Sequence, residues 1–149
     1  MADRSRTPLI RTMTSKDLAR ITEIDTRVLG KSRPEYWERK LVVVEKRSPL
    51  ASLVAELDGK VIAFIIGDAS GWEYGAPDNI GWIDTIGVDP EYQRRGIAKM
   101  LMTEMITNLK KVGVDTIYTF VNWRDWDLLR FFDANGFTRG EMINLELKV

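Results

Sequence analysis

The spacing of apolar positions changes several times along the chain, and each change marks an element. Leu9–Met13 reads as a short first strand. Thr14 and Asp17 have capping-box spacing, and Leu18, Ile21 and Ile24 keep helical period up to Gly30, a helix stop. Ser32, Pro34 and Glu35 repeat the start signal, with proline inside the first turn. Trp37, Leu41 and Val44 give this second helix an apolar face, and Pro49 lies beyond its end. The period then shortens. Ser52–Leu57 and Val61–Gly67 flank Asp58-Gly59, a strong hairpin signal. A glycine-bearing loop, Asp68–Asp78, leads to a strand over Asn79–Val88. Ile97, Leu101, Met105 and Leu109, flanked by Ala98, Met102 and Ile106, predict a strongly amphipathic helix ending at Gly113. Thr116–Val121 is β-branched and aromatic, hence a strand. Asp125 caps a short helix through Ala134, Gly136 ends it, and Phe137–Val149 is extended.

The resulting order, β-α-α-β-β-β-α-β-α-β, predicts an α/β chain with a mixed, mainly antiparallel central sheet flanked by helices. A length of 149 residues implies a single domain, 1–149, and 44% hydrophobic residues suffice for its core. Lysine plus arginine number 22, as do aspartate plus glutamate, so no basic excess points to nucleic acid or an anionic membrane. The absence of histidine and cysteine removes disulfides, thiol nucleophiles and histidine bases, and leaves no metal site beyond an all-oxygen one. No apolar run approaches the ~20 residues of a membrane span. The first residues also lack a signal peptide, so the expectation is a cytoplasmic domain.

The segment Ile86-Gly87-Val88-Asp89-Pro90-Glu91-Tyr92-Gln93-Arg94-Arg95-Gly96-Ile97-Ala98-Lys99 joins a strand to the long helix. Helix starts carry unpartnered N–H groups and partial positive charge, so acidic residues belong there. This one is expected to put Arg94, Arg95 and Lys99 in its first turn, while Lys110 and Lys111 sit at the far end. An anion in the turn accounts for the misplaced cations, with Gly96 allowing close backbone approach and Ala98 keeping it clear. The alternative is a plain joint whose arginines point to water or are neutralised by Asp89 and Glu91. Neither a dinucleotide fingerprint nor a P-loop occurs, which suggests a pyrophosphate gripped by backbone amides without a magnesium clamp.

With Gln93, Gly96 and Ala98 in a Val-Asp-Pro-x-x-Gln context, the segment resembles the Gln/Arg-x-x-Gly-x-Gly/Ala motif of the GNAT superfamily of acetyl-CoA-dependent N-acetyltransferases. The element order is similar over essentially the whole chain. The resemblance implies a GNAT fold, with amides from Gln93 through Arg94, Arg95, Gly96 and Ile97 to Ala98 holding the pyrophosphate of coenzyme A. It also implies that the backbone of Ile86 and Val88 pairs with the pantetheine arm, beside a splayed gap between the strands around Val88 and Val121. Further along, the family pattern falls on Asp125, Leu128, Phe132, Gly136 and Phe137. Asp125 stands where an asparagine commonly contacts pantetheine, and Phe132 where a tyrosine often protonates the departing thiolate. Asn122 is a substitute amide contact or a residue shaping the turn, and Phe131 and Phe132 read as core.

An amine must be neutral to attack a thioester. Deprotonating a lysine of pKa about 10.4 costs roughly 4–5 kcal/mol at neutral pH, against roughly 1 for an α-amine near 7.8. The base must then be a carboxylate, a tyrosine or a water chain. Asp84 comes first, on a strand where simple alternation gives it one face with Trp82 and Ile86. The position corresponding to the family's glutamate base is Trp82, so Asp84 is its neighbour, and a solvent-facing Asp84 is the competing reading. Glu35, Glu73 and Asp78 follow. Tyr118 and Tyr92 are the candidate acids, and unassisted thiolate departure is also feasible. Trp72, Tyr74, Tyr36 and Trp37 are available to line an acceptor cleft, although Trp37 reads better as core.

The expected activity is transfer of acetyl from acetyl-CoA to a primary amine, either a protein amine or a small molecule, without a covalent enzyme intermediate. A non-catalytic acetyl-CoA-binding sensor is the rival. Association into a homodimer stays open.

Overall fold

The computed structural model describes residues 6–47, 49–69, 75 and 78–149. The chain divides into two compact units, Met1–Thr119 and Phe120–Val149. The first carries β1 (Leu9–Thr12), α1 (Leu18–Leu29), α2 (Pro34–Arg47), β2 (Ser52–Leu57), β3 (Lys60–Ala69), β4 (Ile80–Val88), α3 (Ile97–Lys111) and β5 (Thr116–Thr119). The second carries α4 (Trp126–Ala134).

The five strands lie in the order β1-β2-β3-β4-β5. The first three pairings are antiparallel and β4–β5 is parallel, which gives the mixed sheet that the element order predicts. Asp58 and Gly59 adopt φ of 52° and 77°, the two left-handed residues of a tight hairpin turn. Thr14 and Asp17 complete their capping box, but around a single 3-10 turn, Ser15–Asp17, that precedes α1.

One layer of core lies between the sheet and α1 with α2. Ile21, Ile24, Trp37, Leu41 and Val44 pack there against Val54, Val61, Phe64 and Ile66. Trp37 is fully buried, its ring edge-on to Phe64 at 5.3 Å, as its helical spacing predicts. α3 buries Ile97, Leu101, Met102, Met105 and Leu109, the stripe read from the sequence.

The register of β4 departs from simple alternation. Ile66 pairs with Thr85 but Gly67 pairs with Ile83, so Asp84 is an extra residue in a β-bulge. Gly67 fits the bulge because a Cβ there would stand 2.7 Å from the Trp82 carbonyl oxygen. The bulge reverses the strand's facing. A Cβ on Gly81 would meet Leu109 of α3, whereas one on Gly87 would meet Phe64 in the α1/α2 layer. In an uninterrupted strand, positions separated by an even number of residues share a face. The expected common face of Trp82, Asp84 and Ile86 is therefore corrected: Trp82 and Asp84 face α2, and Ile86 faces the α3 side.

Two boundaries differ from expectation. β5 ends at Thr119, two residues short of Val121. Beyond Gly136 the chain runs without an assigned strand, and Ile143, Leu145 and Leu147 are more than 80% exposed. The apolar alternation there is a strand signal, but a lone strand has no partner for its backbone groups.

Candidate functional site

β4 runs on from Asp84 to Val88 after its last β5 partner, Ile83 opposite Thr119. The backbone along this stretch has a defined direction. The Asp89 N–H donates to the Ile62 carbonyl at 2.9 Å, so the next pairs in register, Ala63–Val88 and Ile65–Ile86, are the non-hydrogen-bonded ones. The amide and carbonyl groups of Ile86 and Val88 thus point away from β3, toward the side where β5 has ended. There the Val88 carbonyl accepts a hydrogen bond from Gln93 Nε2 at 3.1 Å.

Past Val88 a 3-10 turn, Pro90–Tyr92, leads into Gln93-Arg94-Arg95-Gly96. Arg94 and Gly96 both take left-handed backbone, with φ of 62° and 76°. For arginine that geometry is unfavourable and marks a backbone held in a fixed bend. Gly96 is the N-cap of α3, so Arg94 and Arg95 stand in the turn before the helix and only Lys99 lies in its first turn. This corrects the expectation that all three are helical. The first helix-closing bond is Met100 N–H to Gly96 O, leaving the amides of Ile97, Ala98 and Lys99 without acceptors in the helix. A Cβ on Gly96 would meet nothing within 4 Å, so open space lies beside these amides.

Asp89 and Glu91 do not neutralise the turn's cations. The Asp89 carboxylate is wholly buried and binds Arg20 at 2.9 Å and Arg27 at 2.8 Å, both from α1. It also accepts the Glu91 amide at 3.1 Å. Burial alone would raise its pKa, but the Glu91 amide and the two guanidinium groups outweigh that and hold it below the ordinary carboxylate value. Glu91 lies 3.5 Å from Arg27. Arg95 donates to the Glu91 carbonyl and stacks 5.1 Å from the Tyr92 ring, while Arg94 and Lys99 have no ion-pair partner among the described residues. Composition gave no sign that α1 would brace this turn; an aspartate before proline and two arginines two helical turns apart on α1 were the available signals.

Asp84 is exposed and ion-paired with Lys40 of α2, a partner that sequence reasoning missed. Tyr118 stands opposite Trp82 across the β4–β5 pair, their rings 5.2 Å apart, so it shares the face of Trp82 and Asp84. Tyr36 lies at the start of α2, with the Arg33 guanidinium 4.3 Å from its ring. Arg33 also clasps Asp25 at 2.8 and 2.9 Å, and that contact foremost holds the Asp25 carboxyl below its ordinary pKa. Trp72, Glu73 and Tyr74 lie outside the described residues. Glu35 and Asp78 are exposed, and Tyr92 is half-buried against Arg95.

In the second unit, the Asp125 side chain accepts the Leu128 amide and caps α4. The Asn122 side-chain oxygen accepts the Arg124 amide at 3.0 Å, the turn-shaping arrangement. Phe132 is buried between Phe131 and Phe137, at 5.4 and 5.0 Å, as core packing requires. A groove of about 420 Å³ between α1 and α2, bordered by Leu18, Thr22, Pro34 and Glu38, contains none of the residues singled out for chemistry. No cluster of three or more acidic residues suited to a metal occurs among the described residues, and no described helix is long and apolar enough to cross a membrane.

Mycothiol acetyltransferase of Thermomonospora curvata is 31% identical over 91 residues, which cover 61% of this chain and 29% of that protein. The chain thus spans under a third of that relative's length. The solved aminoglycoside N-acetyltransferase AAC(6')-Iy, in complex with CoA, matches with a TM-score of 0.80 at 19% identity and 97% coverage of both chains. The ribosomal-protein-alanine N-acetyltransferase of Escherichia coli matches with a TM-score of 0.71 at 22% identity, covering 89% of this chain and 79% of that one. At these identities the two structures speak for the fold alone. The profile of the acetyltransferase (GNAT) family matches residues 18–137 and spans most of both units; the chain belongs to that family.

Proposed function

We propose that the protein transfers acetyl from acetyl-CoA to a primary amine by direct attack of the amine on the thioester carbonyl. The carbon–sulfur bond breaks and coenzyme A leaves as its thiolate. The observation that carries this reading is the turn before α3, where the amides of Ile97, Ala98 and Lys99 lack helical acceptors, open space lies beside Gly96, and Arg94 and Lys99 have no ion-pair partner among the described residues. Such a turn suits a diphosphate, with the Gln93–Ala98 amides as its donors and Arg95 as a further cation. The edge of Ile86 and Val88 beyond the last β5 pair, where Gln93 Nε2 now holds the Val88 carbonyl, suits an extended amide-bearing arm, and Asn122 and Asp125 are proposed as its further contacts. Both units are proposed to form one acetyltransferase domain, a reading supported by the span of the family match. Cytoplasmic residence remains part of the proposal.

Asp84 is proposed as the base and Tyr118 as the acid. They project from one face of the sheet, Asp84 at the bulge and Tyr118 opposite Trp82 two residues before it. Lys40 must swing off Asp84 before that carboxylate can take a proton from the incoming ammonium. The acceptor is proposed only as a primary amine, on a protein or a small molecule.

A sensor that binds acetyl-CoA without turning it over is the second reading. It is favoured by Phe132, a buried ring with no proton to give, and by the Lys40–Asp84 ion pair. Calorimetry with coenzyme A tests the shared premise: wild type binds and Gly96→Glu does not, whereas equal affinity overturns it. Thiol release with a panel of amines separates the two readings, since a sensor releases coenzyme A no faster than water does.

A further inference from the structure

Lys40 stands apart from the other lysines of the chain. The rest, among them Lys16, Lys60 and Lys99, are exposed, whereas the Lys40 side chain is only 24% exposed, at the margin of the buried stripe of Trp37, Leu41 and Val44. It leaves α2 to ion-pair with Asp84 at the bulge of β4. Around that pair lie Tyr36, one turn earlier on α2, and the Trp82–Tyr118 ring pair on the sheet face that Asp84 shares. The turn before α3 sets the other end of the same centre. An arm anchored there and running along Val88 and Ile86 toward Asp84 spans four residues of strand, roughly 13 Å. It ends where the β4–β5 pairing stops, at Ile83 opposite Thr119. The reactive end of such an arm therefore comes to a carboxylate on which a primary amine of the chain already rests.

We propose that Lys40 is a modification site, acetylated by its own copy of the protein from acetyl-CoA bound along β4. The proposal rests on the acetyl-transfer reading and deepens it. Asp84 takes a proton from the Lys40 ammonium, and the neutral amine attacks the thioester carbon. A carbon–nitrogen bond forms, the carbon–sulfur bond breaks, and the second proton lost by the nitrogen follows the departing thiolate. Acetyl-Lys40 and coenzyme A thiol result, and the proton on Asp84 passes to water. An amine held beside the thioester reacts without an encounter step, an advantage that a surface lysine lacks. The flexible four-carbon stem supplies the short travel from carboxylate to carbonyl. The product also changes the centre. An acetamide carries no charge, so the ion pair is lost and Asp84 is freed for an incoming amine. The cation that masks the base thus removes itself in the first turnover.

The full chain is incubated with acetyl-CoA and no amine, then followed by intact mass and peptide mapping. One acetyl group is expected at Lys40, on the order of a hundredfold faster than at the exposed Lys16 or Lys60. The rate constant is expected to stay the same across protein concentrations, and Asp84→Asn, which still binds coenzyme A, to lower it about a hundredfold. With an external amine, wild type is expected to accelerate during its first turnovers. Lys40→Arg, which keeps the cation and takes no acetyl, shows no acceleration. Labelling of Lys40 no faster than of Lys16, a rate constant that rises with protein concentration, or labelling indifferent to Asp84→Asn overturns the proposal. External amines acetylated by the same preparation then leave the acetyl-transfer reading standing, whereas absence of coenzyme A binding in calorimetry overturns both. Equal progress curves for wild type and Lys40→Arg reject the unmasking of Asp84.

Discussion

Arg20 of α1 reaches across to the buried carboxylate of Asp89, 2.9 Å away, and also donates to the Val61 carbonyl at 2.9 Å. One side chain thereby ties the first long helix to the start of β3 and to the turn that precedes α3. With Arg27 on the other oxygen, the Asp89 carboxylate is fully engaged, and its main chain bonds Ile62 and Tyr92. The turn's shape thus depends on a helix some sixty residues earlier, with sequence separations of 69 and 62.

Asp89→Ala is expected to destabilise the protein by about 3 kcal/mol, the low end for breaking a buried pair, because both arginines keep partial access to water. Urea unfolding checks this. Coenzyme A affinity is expected to fall as well at temperatures where the variant is folded, since the side chain that holds the Glu91 amide at the start of the turn is gone.

Gly96→Ala separates stability from binding. Its Cβ meets nothing in the protein, so the cost in stability is the left-handed backbone alone, about 1–2 kcal/mol. If the open space holds the diphosphate, calorimetry gives an affinity loss well beyond tenfold. Unchanged affinity would show that no ligand approaches there.

Asp84→Asn is expected to lower kcat at least a hundredfold while leaving KM for acetyl-CoA nearly unchanged, in line with the usual contribution of a general base. Lys40→Ala removes the competing cation and is expected to change the pH profile without abolishing activity. An Asp84→Asn variant with wild-type kcat rejects the base assignment.

Asp17, Asp25 and Asp89 all hold pKa values lowered in the folded chain. Burial raises the value for Asp17, but Arg11 and the Thr14 amide outweigh it. Each of these carboxylates binds its proton less readily when folded than when unfolded. Their contribution to stability is therefore complete above the ordinary value near 3.9 and is lost as pH falls through it toward the folded values. Urea midpoints at pH 6 and pH 3 are expected to show that loss, and Asp25→Asn is expected to flatten it.

Elements with strong periodicity were legible in the sequence. Trp37, Leu41 and Val44 on one helix, and Leu101, Met105 and Leu109 on another, identify their buried faces because spacing alone decides which side is apolar. The hairpin at Asp58-Gly59 follows from local backbone preference. The glycine-bearing turn drew attention through its cations, although Arg94 and Arg95 precede the helix and only Lys99 lies in its first turn. What stayed hidden depends on partners far away in sequence. No local pattern says that Lys40 meets Asp84, that Arg20 and Arg27 converge on Asp89, or that Gly67 faces a bulge. The bulge was invisible because an extra residue leaves the composition of a strand unchanged while reversing everything after it.

That reversal ties together positions that look independent. Removing Asp84 would take out the extra residue and leave Ile83 and Thr85 adjacent opposite Gly67 and Ile66, so Thr85, Ile86, Gly87 and Val88 would keep both their register and their faces. A codon inserted after Thr85 would by contrast carry Ile86 into the place beside Phe64 that Gly87 leaves open, so this stretch tolerates loss of its bulge far better than any further gain in length.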